Sequence, residues 1–279
     1  MISIPESETK QALSSWDEWL KSPAGKYVLE WEQNQFDQAV TDAFGFQALQ
    51  IGLPDLACLR ENRIPNRFLL LTPEDQNASL LNNPVTELCR GLADELPFAN
   101  ESLDLITIPH ILEFAPNPHE VLREVNRVLR PEGRLVISGF NPISLWGARQ
   151  HLSRFIGRPF LPTEGQFISH LRIKDWLNLL DYSIDRGRFG CYRFPSKSQS
   201  GMQRMAFMEK AGDRWWPVLG SVFTLSAVKR VSGMKLVGRI KQRRSSLRAT
   251  LAPATNNSIN SPSQVTSTAA NPENTRFND

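Results

Sequence analysis

The chain has 279 residues, 41% of them apolar and 22% charged, which suits one folded domain of about 200–250 residues with extensions. No apolar run approaches the roughly 18 residues of a membrane-crossing helix, and the polar start MISIPESETK lacks the basic and apolar regions of a signal peptide, so a cytoplasmic location is expected. Three widely separated cysteines, Cys58, Cys89 and Cys191, read as free thiols with no metal-ligand or redox spacing, so no metal site is expected.

In chain order, residues 1–44 are expected to be a helical extension. Trp16, Trp19 and Leu20, then Phe36, Val40, Ala43 and Phe44, recur at helical spacing, and Pro23 and Gly25 divide the stretch. From residue 45 the period changes. Short apolar runs at 48–52, 67–72, 103–108 and 134–140, with a weaker one at 85–89, suit strands buried on both faces of a parallel sheet. The segments between them read as helices. The clearest is 117–133, where Val121, Leu122, Val125, Val128 and Leu129 share one face. Asn117 can cap it, Pro118 suits its first position, Glu120 completes a capping box, and Pro131 and Gly133 stop it. Residues 174–180 read as a helix, and 182–192 and 220–229 as strands.

This alternation predicts a doubly wound α/β fold over 45–230. Net charge is +3, but residues 229–279 hold nine Lys/Arg against two Asp/Glu, so the body is mildly acidic. Residues 231–251 are a candidate basic amphipathic helix, with Leu236, Ile240, Leu247 and Leu251 on one face; it can contact RNA or an anionic membrane, or remain a solvated tail. Residues 252–279, rich in Asn, Ser, Thr and Pro, are expected to be disordered.

The stretch ELPFANESLDLITIPHILEFAPNPHEVLREVNRVLRPEGRLVISGFNP, 95–142, resembles the type 11 methyltransferase domain of class I S-adenosylmethionine-dependent enzymes. The matching residues are Leu96-Pro97-Phe98, Leu103-Asp104-Leu105-Ile106 and Leu122 through Gly133. The continuation at 139–147 looks like a bacterial subfamily of uncharacterised members. The resemblance implies a mainly parallel seven-stranded sheet with an antiparallel last strand, S-adenosylmethionine as cofactor and a small-molecule acceptor. Ligands of such sheets bind at the carboxyl ends of the strands. There the resemblance assigns Gln50 and Gly52 to the methionine part, Thr72 and Glu74 to the ribose, Ala93 and Asp94 to the adenine, and Pro109 to the methyl-transfer zone.

Three positions depart from the family pattern. The glycine-rich loop is here Gln50-Ile51-Gly52-Leu53-Pro54-Asp55-Leu56, with one glycine left and Gln50 where the family has an acid. The second strand ends Leu71-Thr72 instead of in an acid, with Glu74 two residues on. The acid expected near the adenine falls on Leu92, with Asp94 two residues on.

His110 and Glu113 follow the fourth strand and are the candidate catalytic pair. His110 can orient the acceptor or take a proton, or else simply bond nearby backbone. Glu113 can do likewise, or serve as a helix-start acid. Asn141-Pro142 reads as the end of a strand and the start of a helix; Trp146, Trp176, Trp215 and Trp216 can line a substrate pocket but read mostly as core. The expected function is methyl transfer; the alternative is a non-catalytic binding or regulatory protein that kept the fold and lost the chemistry.

Overall fold

The structure is a computed structural model that describes residues 16, 19–71, 84–156, 161, 166–194, 201 and 204–230. Residues 1–235 form one compact unit and 236–279 a second, which lies outside the described residues. The expectations for 231–251 and 252–279 therefore fall outside them too, as do Thr72 and Glu74.

Seven strands make one sheet: β1 Gln47–Ile51, β2 Asn66–Leu71, β3 Glu87–Arg90, β4 Leu103–Pro109, β5 Leu129–Phe140, β6 Tyr182–Gly190 and β7 Val222–Lys229. Their spatial order is β3-β2-β1-β4-β5-β7-β6. The first five are parallel, whereas β7 runs antiparallel between β5 and β6. The expected fold class is found, including the return of 220–229 beside 182–192. Order reverses between β1 and β4, and the carboxyl ends of those two strands form the switch point where such sheets bind ligands.

Apolar residues pack on both faces of the sheet. One face meets helix α1, Pro23–Val40, through Val28, Phe36 and Val40, together with Leu105, Val136 and Val222. The other holds Leu49, Ile106, Ile108, Leu135 and Ile137 against the helix Pro118–Val128. The intervening helix α2, Ile111–Phe114, is a single turn; α3 spans Pro118–Val128, α4 Leu145–Ile156, α5 His170–Leu179 and α6 Phe207–Trp215.

The N-terminal stretch is divided as expected, by a break at Lys21–Ser22: Pro23 is the first residue of α1, and Ser22 caps it by accepting from the Gly25 amide. Helical residues Trp16, Trp19 and Leu20 precede it and are buried. Gly25 is required because Trp19 and Leu20 backbone atoms lie where its Cβ would stand. Phe44, expected on the buried face, is 77% exposed.

Two further expectations shift. The helix read over 117–133 ends at Val128, because Leu129 already pairs with Leu103 of β4; the register then shifts, and pairing resumes at Arg134 opposite Leu105. Asn117 precedes it without a side-chain cap, and Glu120 pairs with Arg123 rather than closing a capping box. The β1–β2 crossover, residues 52–65, is built of turns with no helix.

Candidate active site

The loop after β1 is organised by Gln50, which is fully buried. Its Nε2 donates toward three carbonyls, Gly52 O at 3.1 Å, Leu53 O at 2.9 Å and Leu56 O at 2.7 Å, while its Oε1 accepts from the Cys58 amide at 3.1 Å. A primary amide has two N–H groups, so they are shared among the three carbonyls. This one side chain ties together the turns that stand in place of a crossover helix, beside the backbone bonds from the Leu56 amide to Leu53 O and from the Cys58 amide to Leu56 O. A carboxylate, which only accepts, could not do this.

Gly52 has φ +68° and Leu53 φ +47°, a left-handed pair that turns the chain back at the strand end. A Cβ on Gly52 would stand 2.3 Å from Ile111 Cδ1. The space over the surviving glycine is therefore occupied by the tip of the half-buried Ile111 side chain, and by no other atom at comparable range.

His110 sits one residue past β4 with φ +55°, held by its amide donating to Ser138 O at 3.1 Å. This strained conformation turns the ring under α1, where it is 2% exposed. Nδ1 lies 2.8 Å from Glu113 Oε2. Nε2 lies 3.0 Å from Glu32 Oε1, an ion-pair contact outside hydrogen-bond alignment that leaves both Glu32 oxygens without an aligned donor. Glu113 is fixed in turn by its other oxygen, which accepts from the Phe140 amide. Burial pulls the His110 pKa down, but the charges of Glu32 and then Glu113 outweigh it and hold the pKa up at about 10. The ring is an imidazolium clamped between two buried carboxylates. Burial, and then the same Glu32 charge, push the Cys58 thiol up.

A roof of aromatic rings covers this cluster. Trp16 stacks on Trp19 at 5.2 Å, meets His110 at 5.1 Å, and presents an edge to Phe114 and Phe140. Phe140 lies 4.5 Å from His110, and Trp19 also meets Trp146.

The structure brings Gln50, Gly52, Pro109, His110 and Glu113 to the carboxyl ends of β1 and β4. Ala93 and Asp94 lie in the turn bridged by Leu92 and Glu95, just after β3. Asp94 has no hydrogen-bonding or ionic partner among the described residues. Sequence reasoning missed Glu32. Its signal was present: Val28, Glu32 and Phe36 follow one another four residues apart, placing an acid inside the buried stripe of a helix. A groove of about 400 Å³ opens elsewhere, between α1 and β6, and contains none of these site residues.

A methyltransferase-domain model matches residues 70–137. Over 179 residues the chain is 32% identical to the uncharacterized protein YafS of Escherichia coli K12, covering 62% of this chain and 68% of that protein. Over 95 residues it is 35% identical to a demethylmenaquinone methyltransferase of Lysinibacillus sphaericus, covering 34% of this chain but only 40% of that enzyme. A SAM-dependent methyltransferase of Thermotoga maritima superposes with a TM-score of 0.54 over 79% of this chain and 97% of that one, at 14% identity, a likeness of fold. Fold, strand order and sequence together make the chain a member of the class I S-adenosylmethionine-dependent methyltransferases. Within that class it shares a family with YafS, and its residues 70–137 match the type 11 methyltransferase domain.

Proposed function

We propose that the chain moves a methyl group from S-adenosylmethionine to a small apolar acceptor at the carboxyl ends of β1 and β4. The observation that carries this is the buried Glu32–His110–Glu113 cluster under a roof of tryptophan and phenylalanine rings. With the tryptophan roof displaced, this polar floor and aromatic wall would orient a flat, weakly polar acceptor and exclude water. The cofactor supplies an electrophilic methyl group, and in-line displacement then depends mostly on position.

Two positions fit that cofactor. Gly52 is closed by one rotatable side chain only, and Asp94 offers an uncommitted carboxylate after β3. One position does not: every polar atom of Gln50 is spent on its own loop, so it has nothing left for the methionine part. His110 is read as an orienting residue rather than a base. Both its nitrogens face carboxylates, and an imidazolium with a pKa near 10 does not accept a proton at neutral pH. An acceptor that needs deprotonation would have to lose its proton to water or arrive ionised.

Gln50 and Ile111 favour a second reading, a binding protein on the same fold without transfer chemistry. Titration calorimetry with S-adenosylhomocysteine separates the two. The transferase reading expects binding that is lost in Gly52→Val with the circular dichroism spectrum retained. Folded wild-type protein giving no heat at millimolar ligand would reject it.

A further inference from the structure

Five exposed apolar side chains cluster at the carboxyl end of the sheet: Trp215 at 70%, Trp216 at 58%, Ile143, Leu145 and Phe194. Hydrogen bonds tie their segments into one surface. Asn141 Nδ2 donates to Val218 O at 2.7 Å and to Gly220 O at 3.0 Å, joining the 141–145 turn to 216–220. Tyr192 Oη donates to Pro217 O at 2.6 Å, bringing 192–194 alongside, and Arg149 of α4 lies over the Phe194 ring. Helix α6 extends this surface. Phe207, Ala211 and Trp215 recur every four residues as one stripe, and Phe207 is exposed like Trp215. The helix docks instead through Gly212, whose backbone lies against the Tyr192 ring and which sits about 100° round from the stripe. The two ends of the stripe, Phe207 at 66% and Trp215 at 70%, stay exposed.

The charges around this face are uneven. Residues 193–219 hold five Lys/Arg and two Asp/Glu. Of the acids, Glu209 is committed to the Tyr27 hydroxyl and the Cys191 amide. Arg204, Lys210 and Arg214 have no carboxylate partner among the described residues and are exposed. Paired tryptophans, amphipathic rings that favour a boundary between apolar and aqueous phases, next to unpaired cations are what a bilayer surface with anionic headgroups complements. An apolar patch of this kind is uncommon on a surface that meets only water.

We infer that this face, formed by α6 and the 141–145, 192–194 and 215–219 segments, docks the protein peripherally on anionic lipid bilayers. It lies at the end of the sheet where β4 and β5 present His110 and Phe140, so a docked molecule faces its acceptor site toward the lipid phase. That link rests on the transferase reading; the docking does not, because it needs neither cofactor nor turnover. β7 ends at Lys229, at the end of the sheet opposite this face, paired with Tyr182 at the start of β6.

The test is co-sedimentation of the full chain with vesicles of phosphatidylcholine alone and of phosphatidylcholine mixed with phosphatidylglycerol. Wild-type protein should sediment with the mixed vesicles and much less with the neutral ones. The exposed double variant Trp215→Ser, Trp216→Ser should bind the mixed vesicles at least about tenfold more weakly, a change of about 1.4 kcal/mol. Ile143→Ser, Leu145→Ser, on the other side of the patch, should behave alike, and thermal melting in each should match wild type. No sedimentation of wild type with the mixed vesicles would overturn the inference. So would undiminished binding by both variants, which would assign the contact to the basic segment, or a stable dimer on size exclusion that both variants dissolve.

Discussion

At the residue scale, Gln50 shows how a departure from a family motif can be structural rather than decorative. Restoring the family acid with Gln50→Glu puts an acceptor against three carbonyl oxygens: Leu53 O and Leu56 O keep the Leu56 and Cys58 amides as donors, but Gly52 O loses its donor and all three face a carboxylate. The loss should be about 1–3 kcal/mol in urea unfolding, with no gain in S-adenosylhomocysteine affinity; stability equal to wild type would mean the three bonds are not made. His110 gives a pH prediction. The folded protein keeps its proton up to about pH 10, whereas the unfolded chain releases it near the ordinary 6.5. Above pH 6.5 the folded state thus binds more protons, and stability falls as pH rises from 6.5 toward 10. At about 1.4 kcal/mol per unit of raised pKa, the drop is several kcal/mol. Urea midpoints at pH 6 and pH 9 check it, and His110→Gln should flatten the difference. The sequence made both residues conspicuous but left their roles open, because those roles depend on partners such as Leu56 O and Glu32 that only the fold brings near.

At the scale of elements, the strands and the 118–128 helix were readable because each obeys one strong period between breakers. The β1–β2 crossover was not. Its helix is replaced by turns held by Gln50, a tertiary device that leaves no periodic trace. The start of β5 was misplaced because Pro131 and Gly133 read as helix stops, whereas Leu129 already pairs with Leu103. The N-terminal residues were read as a plain extension, yet Trp16 and Trp19 form the roof over His110. Trp16→Ala should cost about 3–5 kcal/mol in denaturant unfolding, as for other buried large-to-small changes. A loss under about 1 kcal/mol would show that the segment rests on the domain without being part of its core.

At the scale of the whole molecule, the cofactor edge, the ionic cluster, the aromatic roof and the exposed apolar face all gather at one end of the sheet. In this arrangement the end is closed, with Ile111 over Gly52 and tryptophans over His110. Binding must then include an opening step, and the apparent affinity is reduced by whatever the closed form gains from those contacts. Two substitutions should move binding in opposite directions. Ile111→Ala removes the side chain that has to leave, so S-adenosylhomocysteine should bind more tightly than to wild type, while Gly52→Val adds bulk at the same point and should bind weakly or not at all. Thermal melting reads both on one scale. Ligand at about 100 times Kd stabilises by about 2.7 kcal/mol. At roughly 2–4 °C per kcal/mol for a domain of this size, that is a rise of about 5–10 °C. At equal ligand concentration the order of shifts should be Ile111→Ala, then wild type, then Gly52→Val with none, each measured against its own ligand-free melt. If Ile111→Ala instead binds less well than wild type, the isoleucine is part of the ligand's contact surface, and the closed end of the sheet is already the binding-competent form.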